Sequence, residues 1–278
     1  MLIWPTFVAA PDPSRRDVLL GLSALAGLRG TAPLALVAAC SDDNSSSTVG
    51  TVTLAPGAPM DSSIPALGAH GLVYNRDGVA RAPLSTKALG TRTTGSTLLA
   101  CVGRGVVSTH ARPADNKGNA YLQAGSTHTY TLWPTSGTAL YVSEKASGGA
   151  GHAVTVAKLA PADETTLSVV EVINGGVLGE VKWSEVLAGR PQTSESVTTS
   201  GPALLIAWWW GDANVKFDKT AVPDNGFTVI DAILLEGALV QCAVAVRQVS
   251  EAGTWRVTWT ATPVQGAQLW IAAVQLRS

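Results

Sequence analysis

Trp255-Arg256-Val257-Thr258-Trp259-Thr260 alternates large apolar and polar side chains with a period of two. Successive side chains of an extended strand point to opposite faces, so Trp255, Val257 and Trp259 share one face and Arg256, Thr258 and Thr260 the other. Upstream, 239–249 is apolar on both faces for much of its length, as a central strand covered on two sides should be. Gly253 lies between the two stretches and predicts a hairpin joining them. Downstream, 268–275 reads as a further strand.

The same texture runs back through the chain. Strands are expected over 51–54, 71–74, 97–102, 127–133, 139–144, 153–158, 166–173, 203–210 and 228–235, and 254–262 continues the set. Turn chemistry separates them, including Asn75-Arg76-Asp77-Gly78, Pro134-Thr135-Ser136-Gly137, Asn174-Gly175-Gly176 and Pro223-Asp224-Asn225-Gly226. Only 182–187 invites a helix, of one or two turns. No repeat of about 20–50 residues is visible, which disfavours a propeller or solenoid. The expectation is an all-β, antiparallel two-sheet sandwich occupying 51–278 as one domain.

Composition agrees with that class. Charged residues are 14% of the 278 positions against about 25% in an ordinary soluble domain, while hydrophobic residues reach 46%. Gly (28) and Pro (15) are spread through the chain, as many turns require. The formal charge of −1 offers no basic surface for nucleic acid, whose binding rests on clustered Lys and Arg.

The first forty positions read as an address. Arg15 and Arg16 precede an apolar stretch that begins at Val18 and ends on Leu36-Val37-Ala38-Ala39-Cys40. Paired arginines before such a stretch are the twin-arginine form of an export signal. Arg29 and Pro33 interrupt the stretch, so it makes a poor membrane-spanning helix. Val37-Ala38-Ala39-Cys40 resembles the bacterial lipobox, which implies cleavage before Cys40 and acylation of its thiol. Several acyl chains on one residue anchor stably, at about 0.8 kcal/mol per buried CH₂. The expected organisation is a signal peptide over 1–39, a lipidated Cys40 with a polar tether to 50, and the sandwich beyond.

Gly95-Ser96-Thr97-Leu98-Leu99, Asp115-Asn116-Lys117-Gly118-Asn119-Ala120-Tyr121, Gly148-Gly149-Ala150-Gly151-His152-Ala153-Val154-Thr155-Val156 and Val169-Val170-Glu171-Val172 follow one another in that order. The set resembles a large group of secreted bacterial β-sandwich modules of jelly-roll type. The resemblance covers roughly 90–275 and implies an extracytoplasmic sandwich of the kind that accompanies adhesive or glycan-processing architectures. The Trp208-Trp209-Trp210 run departs from the group's pattern.

Few residues point to chemistry. No Gly-x-Ser-x-Gly elbow accompanies His70, His110, His128 and His152, and Thr127-His128-Thr129 reads as a strand with His128 facing solvent. Cys101 and Cys242 lie in apolar runs and read as buried thiols, far from the close spacing of a zinc site. Glycoside hydrolysis needs two carboxylates about 5–10 Å apart. Glu171, Asp231 and Glu236 interrupt apolar strands, and Asp115, Asp212, Asp218 and Asp224 belong to loops, but no spacing pairs them. No catalytic residue and no cofactor is assigned. Oxygen ligands for Ca²⁺ occur in 115–119 and in Asp212, Asn214 and Asp218, but neither set reaches the six to eight that the ion takes.

The tryptophan triplet is the most informative binding feature. Trp208 and Trp210 must share one face of a strand and Trp209 the other, so a strand covered on one side exposes at least one indole. An exposed indole beside Asp212 and Asn214 would form a platform for a sugar ring; a strand covered on both sides would bury all three. Three functions remain in view: a lipid-anchored envelope module that binds a glycan or another envelope component, an envelope enzyme acting on polysaccharide through two carboxylates, and a structural envelope protein. The missing nucleophile, metal and phosphate-loop signatures favour binding or structure.

Overall fold

Short alternating runs become strands because each buries one row of side chains against a neighbour and pairs its backbone laterally. The computed structural model describes residues 64–75, 82–107, 111–158, 164–174, 176–189, 191–212, 219–234 and 241–276, all within one compact unit. Arg15, Arg16, Cys40, the tether, the 51–54 strand, His110, Asn214, Asp218 and Glu236 lie outside the described residues. Among the described residues the chain is all-β, with antiparallel pairing throughout.

Eight strands form the first half: β1 (Ala66–Asn75), β2 (Leu84–Ser85), β3 (Thr94–Arg104), β4 (Ala114–Asp115), β5 (Leu122–Tyr130), β6 (Trp133–Ser147), β7 (Val154–Val156) and β8 (Thr165–Ile173). Ten form the second: β9 (Gly176–Gly189), β10 (Gln192–Thr193), β11 (Val197–Thr199), β12 (Ala203–Gly211), β13 (Thr220–Pro223), β14 (Thr228–Ile233), β15 (Cys242–Val249), β16 (Gly253–Trp255), β17 (Thr258–Thr262) and β18 (Gln265–Leu276). The first half builds a five-stranded sheet ordered β1-β8-β3-β6-β5 and a small sheet ordered β2-β7-β4. The second builds a five-stranded sheet ordered β9-β18-β12-β15-β14, a small sheet ordered β10-β17-β13, and a two-stranded β11-β16 pair.

Those orders are the same order written twice. Matching β1 with β9, β3 with β12, β5 with β14, β6 with β15 and β8 with β18 superimposes one large sheet on the other, and β2-β7-β4 then matches β10-β17-β13. Hydrogen bonds repeat as well. Ser85 Oγ meets Thr155 Oγ1 at 2.7 Å, and Thr193 Oγ1 meets Thr258 Oγ1 at 3.1 Å. Val154 N donates to Thr86 Oγ1 at 3.1 Å, and Val257 N donates to Ser194 Oγ at 3.2 Å. The described residues therefore repeat one pairing of a large and a small antiparallel sheet, with the two large sheets face to face.

Three apolar cores follow from this stacking. The central one lies between the large sheets and joins Leu99, Cys101, Leu140 and Val170 of the first half to Ile206, Trp208, Trp210 and Trp270 of the second. Each large sheet then buries its other face under its own small sheet. Leu98, Ala100 and Val169 pack with Val154 and Val156; Leu205, Ala207 and Trp209 pack with Val257 and Trp259. The Val257 and Trp259 face expected from the alternation is thus buried, with Trp255 packed against it.

Tryptophans of the second half close the central core. Trp208 Nε1 donates to Ser168 Oγ at 2.9 Å, and Trp270 Nε1 donates to Thr138 Oγ1 at 2.7 Å. Both acceptors belong to the first half. A buried indole usually finds an N–H partner, and for Trp208 and Trp270 that partner ties the halves together. Trp210 lays its ring on Gly103, where a Cβ would come within 2.4 Å of the ring, and its indole N–H is left without a hydrogen-bond partner among the described residues.

The structure corrects four local expectations. The 182–187 segment is part of β9, because its backbone pairs along β18 and Val181 and Trp183 pack against the central core. The 127–133 segment is broken by a turn at Thr131 and Leu132. The expected hairpin at Gly253 does not form: β15 is already flanked by β14 and β12, so the chain crosses to the small sheet and β16 pairs with β11. His128 does not simply face solvent; it stacks on Trp183, with ring centroids 4.2 Å apart and planes 8° apart.

Candidate functional site

The residues suspected of chemistry are almost all engaged in holding strands. Glu171 is 1% exposed. Its carboxylate accepts from Ala69 N at 2.8 Å, Arg92 N at 2.8 Å and Ser96 Oγ at 2.6 Å. The charge is tolerated inside because three donors converge on it. Asp231 pairs with His70 Nδ1 at 2.8 Å where β14 meets β1, again with both side chains buried. Val170 and Val172 face the central core, so Glu171 faces the other side of the sheet from the His70–Asp231 pair. A sheet separates these two carboxylates, and they do not make a glycosidase pair.

Asp115 anchors a larger network that joins two of the quoted motifs. Its oxygens accept from Lys117 N, Asn119 N, Asn119 Nδ2 and Tyr121 Oη at 2.7–3.0 Å. The His152 imidazole adds a contact at 2.9 Å, and its other nitrogen meets Thr91 Oγ1 at 2.9 Å. Burial pushes the Asp115 carboxyl upward, but hydrogen bonds from Asn119, His152 and Tyr121 outweigh it and bring the pKa down from 3.8 to about 2. The Thr91–His152–Asp115 chain has the connectivity of a nucleophilic relay, which sequence reasoning missed. Its imidazole and carboxylate are 0% exposed, however, so it ties the 148–152 loop to the turn at 115–119 rather than meeting a substrate. Five donors on one carboxylate also give this turn a complete account without calcium.

The tryptophan triplet is buried on both faces, with exposures of 0%, 0% and 3% for Trp208, Trp209 and Trp210. The exposed-indole platform expected on this strand is corrected. β12 is central in its sheet, covered on one side by the opposite large sheet and on the other by its own small sheet. Trp209 even spends its N–H internally, on Gln192 Oε1 at 2.5 Å.

Asp212 stands just beyond that strand, half-buried, and it leads to a different indole. Its Oδ1 accepts from Gly266 N at 3.2 Å, and it accepts from the Tyr130 hydroxyl. Burial raises the Asp212 pKa, opposed by those donors. Tyr130 ends β5 and pairs with Trp133, the first residue of β6. Between them, Thr131 donates its N–H to Glu185 Oε2 at 2.9 Å and its hydroxyl to Glu185 Oε1. Trp133 is 54% exposed; every other described tryptophan is buried or half-buried. Leu132, Leu187 and Val264 are exposed around it, on the same hairpin and on the ends of β9 and β18.

This apolar cluster sits at a defined end of the molecule. The described chain enters at Ile64 and Pro65, whose carbonyls accept from Asn174 Nδ2 at 2.9 Å and Gln248 Nε2 at 3.0 Å. Gln248 pairs beside the start of β12, whereas Asp212 follows its last residue. A nine-residue strand rising 3.3 Å per residue separates the two ends by about 26 Å. Comparison with protein-family models, with curated proteins and with solved structures finds no match to this chain.

Proposed function

We propose that this chain is an exported, lipid-anchored envelope protein that binds a glycan or other envelope component through the Trp133 hairpin of its sandwich. The observation that carries the reading is Trp133: an exposed indole at the start of β6, next to the exposed Leu132 on a hairpin whose Thr131 is held by Glu185. Exposed apolar groups gathered at one place on an otherwise well-buried domain mark an interaction surface. The anchor rests on the lipobox ending at Cys40 and the arginines at 15 and 16. Binding is favoured over catalysis because Glu171, Asp231 and Asp115 are each consumed by structural partners.

Two variants test the reading. Cys40→Ser is expected to block maturation or release the protein from membrane fractions; unchanged fractionation refutes the anchor. Trp133→Ala is expected to abolish retention on an envelope polysaccharide fraction while leaving the melting temperature unchanged. Retention equal to wild type refutes the surface.

A further inference from the structure

Resting on that reading, we infer that the envelope component met by the Trp133 hairpin is a lipid surface, the bilayer that holds the acylated Cys40. The companions of the indole point this way. Tyr130 Oη lies 3.5 Å from Leu187 O, and a Cβ at Gly266 would run into that hydroxyl. The hairpin, the end of β9 and the start of β18 therefore converge, and they bring together Leu132, Trp133, Leu187 and Val264, all exposed. Three of the four are aliphatic. A sugar ring can stack on the indole, but Leu and Val side chains give its hydroxyls no hydrogen-bond partner. The boundary between lipid headgroups and acyl chains takes both kinds of group. An indole suits its wet level, being apolar with a single N–H, and aliphatic side chains suit the layer beneath. The two carboxylates described at this end are already occupied within the body: Glu185 accepts both donors of Thr131, and Asp212 accepts from Tyr130 and from Gly266 N.

Chain length permits the contact. The 24 steps from Cys40 to Ile64 reach at most about 80–86 Å at 3.3–3.6 Å per residue. That is well over the length of about 26 Å that β12 puts between the entry of the chain and the hairpin end. Once the anchor holds the body at the membrane, a weak contact suffices, because the tether keeps the patch at a high local concentration beside the lipid. A peptide adding to β5 or β9, the outer strands of their sheets, would bond their backbone. It has no need of Leu132 and Trp133 on the turn, so protein-free vesicles separate the two partners.

The test expresses the whole chain, recovers it in detergent and reconstitutes it in phosphatidylcholine vesicles with brominated acyl chains, whose bromines quench an indole only on contact. Flotation with the vesicles reports the anchor, and quenching reports the hairpin. Part of the emission is expected to be quenched, and Trp133→Phe should remove the quenched part. Leu132→Ala should lower the ratio of docked to undocked chains roughly tenfold. Both variants should keep the wild-type melting temperature. Emission alike in brominated and ordinary vesicles, from a chain that floats, overturns the bilayer contact and leaves the anchored reading; retention of that chain on the polysaccharide fraction through Trp133 then makes the partner a glycan. Quenching that persists in Trp133→Phe also overturns the contact, because another indole then carries it. A chain that does not float overturns the anchor, and the bilayer contact with it.

Discussion

Replacing Glu171 with Gln puts the clearest strain on the structural reading. The carboxylate serves three donors on separate pieces of chain: Ala69 in β1, Arg92 in the loop before β3, and Ser96 in β3. A Gln side chain keeps one carbonyl oxygen. Placed at the Oε1 position, it still accepts from Arg92 N and Ser96 Oγ, but its amide NH₂ then faces the Ala69 N–H. One buried donor is left without an acceptor, at about 1–3 kcal/mol, and two charge-assisted bonds become neutral ones, at about 0.5–1.5 kcal/mol each. The sum is about 2–6 kcal/mol. For a body of this size each kcal/mol lowers the melting temperature by about 2–4 °C, so a fall of roughly 4–24 °C is expected by far-UV circular dichroism.

Gly68 supplies an independent check on the same clamp. A Cβ there would lie 2.4 Å from Glu171 Oε2. That oxygen is not a free side-chain end, because the Ala69 N–H holds it, so Gly68→Ala must break the bond or move β1. Combining Gly68→Ala with Glu171→Gln should then cost less than the two losses added, since both act on one contact. A Glu171→Gln protein within 1 kcal/mol of wild type, or strict additivity of the pair, would refute the clamp. Loss of saccharide binding by Glu171→Gln at full folding would return the residue to the functional site.

Three further outcomes follow from the cores and the Asp115 network. Trp208→Ala empties the space between the large sheets and should cost about 3–5 kcal/mol in denaturant titration, whereas Trp133→Ala should stay within about 0.5 kcal/mol; the reverse ranking would invert the assignment of core and surface. Because the folded Asp115 pKa lies near 2, below its ordinary 3.8, its contribution is present above pH about 4 and drains away as pH falls toward 2; Asp115→Asn should flatten that part of the stability–pH curve, and an unchanged curve would contradict the network. Cys101 and Cys242 are free, buried, and on opposed sheets. Both thiols should therefore react with an alkylating agent only after unfolding.

Much of the fold was legible from side-chain alternation, and its failures have physical causes. Ala203–Gly211 and Thr165–Ile173 read as strands because they are apolar on both faces, as the two-sided covering requires. The 182–187 segment looked helical because isolated local preference is weak where an edge strand is held by backbone pairing to β18 and two indoles. The duplication was not legible at all. Gly95-Ser96-Thr97-Leu98-Leu99 and Gly201-Pro202-Ala203-Leu204-Leu205 look alike, yet Leu99 faces the central core where Leu205 faces away from it. Bulges at the start of β3 slip the register by one residue and reverse which leucine points inward. Asp212 stands beside the Tyr130–Trp133 hairpin rather than beside an exposed indole of its own strand, and Trp133 carries no sequence signal beyond following a turn.

The duplication also accounts for the composition that set the sequence apart. A single large sheet with one small sheet beneath it could expose its other face and carry charge there. Here that face meets its own copy, so both large sheets are apolar on both sides, and the strands contain Ala, Val and Trp where an ordinary sandwich would place Lys and Glu. The two copies have diverged in a complementary way. The first half supplies small hydroxyls at Ser168 and Thr138, to which the Trp208 and Trp270 indoles of the second half bond, and a glycine at Gly103 on which the Trp210 ring packs. Identical sheets could not interdigitate so, because bulk would meet bulk. The indoles that the sequence offered as a binding platform thus fill the space between the halves and join one sheet to the other.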